Sequence, residues 1–117
     1  MRSETTLRPW KSRYETLKTR IGRLGLVLVG TITQRIDRRP DPNASGGLKE
    51  YGPYYQWTFK EKGKTKTVNL TAPQAREYGK AIRNHRSLEH MILEMRGLSL
   101  KILQATTEGV PSRTHRK

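Results

Sequence analysis

The chain has 117 residues, with 24 Lys or Arg against 10 Asp or Glu, a formal charge of +14 and no cysteine. That length holds one modest core, and the missing thiols exclude disulfides and thiolate metal sites. The longest apolar run, Leu24 to Gly30, falls far short of the roughly 20 residues of a membrane helix. The first residues, MRSETTLRPWKSRYE, lack the apolar segment of a secretory signal, so a soluble cytoplasmic protein is expected. A charge this far from neutral repels itself in the compact state. A densely anionic partner relieves that repulsion, and nucleic acid is the commonest one. The plainer alternative is a basic surface that only serves solubility.

The first element is a helix over Leu7 to Leu24. Trp10, Tyr14, Leu17, Ile21 and Leu24 recur at steps of four and three, the spacing of one helical stripe. Pro9 fits a first turn, and Gly22 and Gly25 mark the end. Gly25 to Asp37 alternates as a strand, with Leu26, Leu28, Ile32 and Ile36 on one face and Val27, Val29, Thr31, Thr33 and Arg35 on the other. The prolines, glycines and aspartates of Arg38 to Gly47 predict a loop.

Pro53 to Leu70 predicts a hairpin turning at Lys62 and Gly63. Glu61 then opposes Lys64, Thr58 opposes Thr67, Trp57 opposes Val68 and Tyr55 opposes Leu70. Under this register Tyr55, Trp57, Phe59, Val68 and Leu70 share one side. Tyr54, Gln56, Thr58, Lys60, Thr65, Thr67 and Asn69 share the other. Thr71-Ala-Pro-Gln74 is a capping box opening the last helix. Its stripe runs through Tyr78, Ala81, Ile82, His85, Leu88, Ile92 and Met95, and Gly97 is expected to break it before a shorter segment from Leu98 to Thr106.

The predicted fold is α+β: an N-terminal helix, a three-stranded antiparallel sheet made of a strand plus a hairpin, and a long C-terminal helix broken near Gly97. A single basic domain spans 1–109 and a basic, flexible tail 110–117. The charge is not confined to the tail, being +5 over residues 1–23, +4 over 24–70, +2 over 71–109 and +3 over 110–117. The long helix is expected to pair with the first helix, with a partner protein, or with a second copy through Tyr78 to Met95.

Two basic surfaces are candidates for nucleic acid. One is the polar sheet face with Arg35, Tyr54, Gln56 and Lys60, joined by the hairpin tip with Lys62, Lys64 and Lys66. Lys and Arg hold phosphates there, and Gln reads base edges. The other is the first-helix face with Lys11, Arg13, Lys18, Arg20 and Arg23, extended by Arg38 and Arg39. Ordinary solvated faces are the alternative for both. Tyr55, Trp57 and Phe59 belong to the apolar face and pack as core, which leaves Tyr51 and Tyr54 as the residues placed to stack on bases.

Catalysis finds little support. His85 and His90 are five apart on a helix and do not converge on one metal, and His115 lies in the tail. Asp37, Asp41 and Glu50 are the nearest approach to a magnesium cluster, but carboxylates in such a loop more often build turns. No nucleophile, metal or phosphate-loop motif is present. No enzymatic activity, metal or cofactor is expected.

Tyr51 to Leu88, about a third of the chain, resembles a family of small prokaryotic proteins. These carry a GPYY-x-W strand motif, a Gly-Lys hairpin turn and an Asn-x-Arg-x-Leu-like helix. The matching residues are Gly52, Pro53, Tyr54, Tyr55, Trp57, Gly63, Lys64, Asn84, Arg86 and Leu88, with a looser match at the GTIT of the first strand. Members are often encoded near transposases, so the resemblance implies an accessory factor of a mobile element. Many carry cysteines in the loop before GPYY. This chain has Asn43, Ala44, Ser45 and Gly46 there, so a metal knuckle does not carry over.

The expectation is therefore a DNA-binding accessory or regulatory factor. An RNA-binding subunit of a ribonucleoprotein is the second reading, and a non-catalytic adaptor acting through the long helix is the third.

Overall fold

A computed structural model describes residues 4–110. The elements are α1 (Glu4–Gly22), β1 (Thr31–Pro40), a short 3-10 turn (Ser45–Gly47), β2 (Leu48–Glu61), β3 (Lys64–Leu70) and α2 (Ala72–Thr106). The three strands form one antiparallel sheet in the order β1-β2-β3, so the fold is α+β, as expected.

The hairpin sets the sheet. Lys62 and Gly63 adopt φ of 51° and 78°, the left-handed pair of a two-residue type I′ turn, whose twist matches that of the flanking strands. Glu61 faces Lys64, Thr58 faces Thr67, Trp57 faces Val68 and Tyr55 faces Leu70, the predicted register. On one face Trp57 stacks on Phe59 with ring centroids 3.9 Å apart and meets the Tyr78 ring edge-on at 5.5 Å. Leu70, Ala81 and Ile82 complete this small core. The capping box forms reciprocally. The Thr71 N–H donates to Gln74 Oε1 at 2.9 Å, and the Gln74 N–H donates to Thr71 Oγ1 at 3.2 Å.

Several boundaries differ from the expected ones. α1 begins at Glu4, so Pro9 lies in its second turn, where the bond it cannot donate leaves the exposed Thr5 carbonyl to water. Residues 25–30 alternate like a strand but join no ladder. Instead the Leu28 N–H donates to the Ala81 carbonyl at 3.0 Å, Asn84 Nδ2 donates to the Leu26 carbonyl at 2.9 Å, and Trp57 Nε1 donates to the Val29 carbonyl at 2.8 Å. The strap therefore lies along α2. Gly30, at φ 120°, turns the chain into β1, with Trp57 and the Thr58 carbonyl where a Cβ would sit.

β1 runs on to Pro40 and β2 starts at Leu48, so part of the predicted loop is sheet. The remaining turn is closed by the Asp41 N–H donating to the Gly47 carbonyl at 3.0 Å and by the Asn43 N–H donating to Asp41 Oδ1 at 2.9 Å. Gly52 and Pro53, joined by a cis peptide, lie inside β2 rather than at its start. They oppose the single residue Ile36 between the pairs Arg35–Tyr54 and Asp37–Tyr51. At such a bulge the ladder is already interrupted, so the missing proline N–H costs no strand pairing.

The break predicted at Gly97 is absent, since α2 is one helix of 35 residues. A helical glycine costs about 1 kcal/mol relative to alanine, and burial of neighbouring Leu98, with Ala105 further along, offsets it. The chain divides into two compact units. The sheet unit is Gly25–Arg86, its apolar face covered by the first half of α2. The helical unit, described over 4–24 and 87–110, packs α1 with the second half of α2 around Leu7, Leu17, Leu98 and Ala105. The tail 111–117, with His115, lies outside the described residues.

Candidate nucleic-acid interface

Strand alternation carries the polar side chains to the outward face of the sheet. Thr31, Thr33 and Arg35 pair with Thr58, Gln56 and Tyr54, and Gln56 and Thr58 pair in turn with Asn69 and Thr67. Cross-strand bonds knit this face, with Gln56 Nε2 donating to Asn69 Oδ1 at 3.1 Å and the Thr58 and Thr67 hydroxyls 3.3 Å apart.

Beyond the bulge the same face continues as a charged corner. Asp37 lies between two arginines of its own strand, two residues away on either side. Arg35 Nε stands 3.2 Å from Asp37 Oδ1, and Arg39 Nη2 stands 3.5 Å from Asp37 Oδ2. The Arg39 guanidinium also covers the Tyr51 ring at 4.8 Å, and Lys49 Nζ approaches that ring to 5.5 Å. Cations over aromatic rings gain from the ring quadrupole. Arg35, Asp37 and Arg39 line an open concavity of about 500 Å³ together with Tyr54, Gln56 and Asn69. Tyr54 is exposed within it. Arginines, an exposed aromatic ring and amides in one depression can take a phosphate and an unstacked base together.

The predicted site residues divide. Arg35, Arg39, Tyr54, Gln56 and Lys60 share the outward face, and Lys62 sits in the turn beside it. Lys64 and Lys66 pair with Glu61 and Phe59, which places them on the opposite side, and Lys66 Nζ is bound to Glu61 at 2.8 Å. Arg38, one residue out of phase with Arg39, is likewise turned away and held by Glu50 at 3.1 Å. Sequence reasoning missed Lys49 and did not join Asp37 to the basic face. Strand parity was the available signal, but it became usable only once the bulge and the true start of β2 were known.

On α1, Arg13 is committed. Its Nε and Nη2 donate to both Glu94 oxygens at 2.7 and 3.1 Å. That hydrogen bond holds the Glu94 carboxyl below its ordinary value and the Arg13 guanidinium above its own. Lys18 stands 3.5 Å from Glu15. Lys11, Arg20 and Arg23 remain exposed on the helical unit.

The three acidic residues of the imagined magnesium cluster are separately engaged: Asp37 by two arginines, Asp41 by its own turn and Glu50 by Arg38. Among the described residues no three His, Asp or Glu side chains converge as metal ligands, and no helix is long and apolar enough to cross a membrane. Compared with protein-family models, curated proteins and solved structures, the chain matches none.

Proposed function

We propose that this chain is a non-catalytic nucleic-acid-binding protein of the cytoplasm, whose contact surface is the outward sheet face. The observation that carries this reading is the charged corner, where Arg35, Arg39 and Tyr54 line one concavity and Arg39 and Lys49 cover Tyr51. The arginines hold backbone phosphates, Gln56 and Asn69 offer amide contacts to base edges, and Lys60 and Lys62 extend the positive track along the hairpin. A hairpin with a cationic tip suits the DNA major groove, which favours DNA over RNA. The resemblance at Tyr51 to Leu88 adds the context of a mobile-element accessory or regulatory factor.

Exposed Tyr54 supports a second reading. Stacking on unpaired bases is the habit of RNA- and single-strand-binding sheets.

Fluorescence anisotropy against duplex DNA, single-stranded DNA and hairpin RNA across a salt series tests both readings. Binding is expected to weaken steeply with salt. Arg35→Gln with Arg39→Gln is expected to lower the magnitude of the log–log salt slope by about 2 on a duplex, one unit for each phosphate no longer neutralised. The ranking of the three ligands separates the readings, and absence of binding to all three at low salt removes them together.

A further inference from the structure

The outward sheet face carries hydroxyls and amides, and the two groups differ in what they can tell apart. Thr31, Thr33, Thr58 and Thr67 share that face with Gln56 and Asn69. A hydroxyl both donates and accepts, and it rotates to suit whichever group it meets. A carboxamide has a donor end and an acceptor end fixed side by side. Gln56 is the centre of the row Thr33–Gln56–Asn69, which crosses all three strands. It is half-buried and lines the concavity of the charged corner. Its Nε2 donates to Asn69 Oδ1 at 3.1 Å. An amide nitrogen carries two hydrogens, so Gln56 keeps one N–H and its carbonyl for a ligand.

We propose that Gln56 makes this face select adenine in duplex DNA, donating to N7 and accepting from the N6 amine in the major groove, with Asn69 as its positioning residue. The proposal rests on the nucleic-acid reading above. Adenine is the base whose major-groove edge sets a donor beside an acceptor. Guanine presents two acceptors, N7 and O6, cytosine an N4 donor alone, and thymine an O4 acceptor beside a methyl group. On guanine the Gln56 carbonyl would face another acceptor and lose its partner. Guanine is the usual target of arginine, but Arg35 and Arg39 are drawn to Asp37 at 3.2 and 3.5 Å, which leaves fewer of their donors for a base. The threonines adapt to any base, so discrimination falls to the amide. Asn69 matters because a free glutamine gives up rotamer freedom when a ligand fixes it. The cross-strand bond has removed part of that freedom before the ligand arrives.

Fluorescence anisotropy of the full chain at one salt concentration compares three short duplexes: A·T pairs only, G·C pairs only, and A·T pairs with 7-deaza-adenine in place of adenine. The A·T duplex is expected to bind about ten-fold more tightly than the G·C duplex, within the range of one bidentate base contact. The deaza duplex lacks N7 but keeps its pairing and its minor groove, and is expected to lose most of that advantage with no change in the protein. Gln56→Met, similar in length and without the amide, is expected to bring A·T and G·C to equal affinity while salt-sensitive binding persists. Asn69→Ala is expected to narrow the A·T to G·C ratio to about two- or three-fold. Asn69→Asp still accepts from Gln56 and is expected to restore the ratio, whatever its charge does to both affinities. A residue that only held the sheet together would leave the ratio unmoved. Salt-sensitive binding with no preference for A·T overturns the adenine assignment and leaves the nucleic-acid reading standing. Absence of binding to every duplex removes the assignment together with the duplex reading. A preference that survives Gln56→Met overturns it as well, and so does one that the deaza duplex keeps in full, which would belong to groove shape.

Discussion

Trp57 illustrates how one side chain is fixed by several kinds of interaction. It stacks on Phe59, meets Tyr78 edge-on and donates its indole N–H to the Val29 carbonyl. Truncation to alanine removes all three, and Trp57→Ala is expected to cost about 3 kcal/mol in urea unfolding, the lower end for a large aromatic because the residue is only half-buried. A variant of unchanged stability that no longer bound nucleic acid would instead make Trp57 a contact residue. Its inward position was legible in the alternation of the hairpin. The same holds for Thr71 and Gln74, whose spacing already spells a reciprocal cap. Asn84 was not legible in this way. It enters the resemblance only as a motif letter, and its work is to bind the Leu26 carbonyl, 58 residues away. No periodicity encodes a contact of that kind.

Among the elements, the hairpin and α2 mark the two extremes of legibility. Turn chemistry and face alternation agree at Lys62–Gly63, so a single register satisfies both. Residues 25–30 alternate equally well, yet they form a strap, because Gly30 and the Trp57 indole direct the chain onto α2 before β1 can begin. Gly97 was misleading for the opposite reason. Local propensity disfavours helix there, but buried neighbours on the same helix carry it through. A Cβ at Gly97 meets nothing within 4 Å, so Gly97→Ala is expected to stabilise the chain by up to about 1 kcal/mol. A fall in thermal midpoint for this variant would show that the glycine relieves a contact or a bend. The candidate face was half legible. Period-two alternation gave Arg35, Tyr54, Gln56 and Lys60, whereas Lys66 and Arg38 were grouped by proximity in sequence when parity places them on the far side.

For the whole molecule, net charge outweighs ion pairing. Surface pairs such as Lys18–Glu15 and Lys80–Glu77 are worth about 0–1 kcal/mol each. The formal charge of +14 on 117 residues acts on every fold-preserving contact at once. Screening should therefore relieve more repulsion than it removes attraction. The thermal midpoint is expected to rise as sodium chloride is raised toward physiological strength, where the Debye length falls to about 8 Å. A midpoint that fell with salt would mean that the exposed pairs, and not the charge excess, govern stability. Composition made this scale the most legible of the three, since the sign and size of the excess need no structure. The division into two units was not legible, because one helix stripe reads the same whether it covers a sheet or another helix.

If the charged corner binds nucleic acid as proposed, Asp37 is an anion tethered where an incoming phosphate would have to sit. Held between Arg35 and Arg39, it acts as a permanent competitor whose local concentration is set by its own backbone and not by solution, of millimolar order or above by analogy with short tethers. A lone phosphate or a mononucleotide must outcompete it unaided and should bind poorly. A polynucleotide bound as proposed would arrive already anchored by Lys49, Lys60 and Lys62 and would present its next phosphate at a comparable local concentration. It also meets two guanidinium groups whose side-chain freedom is already partly spent. On the proposed reading the carboxylate would work as a filter for length, admitting chains of phosphates and turning away single ones.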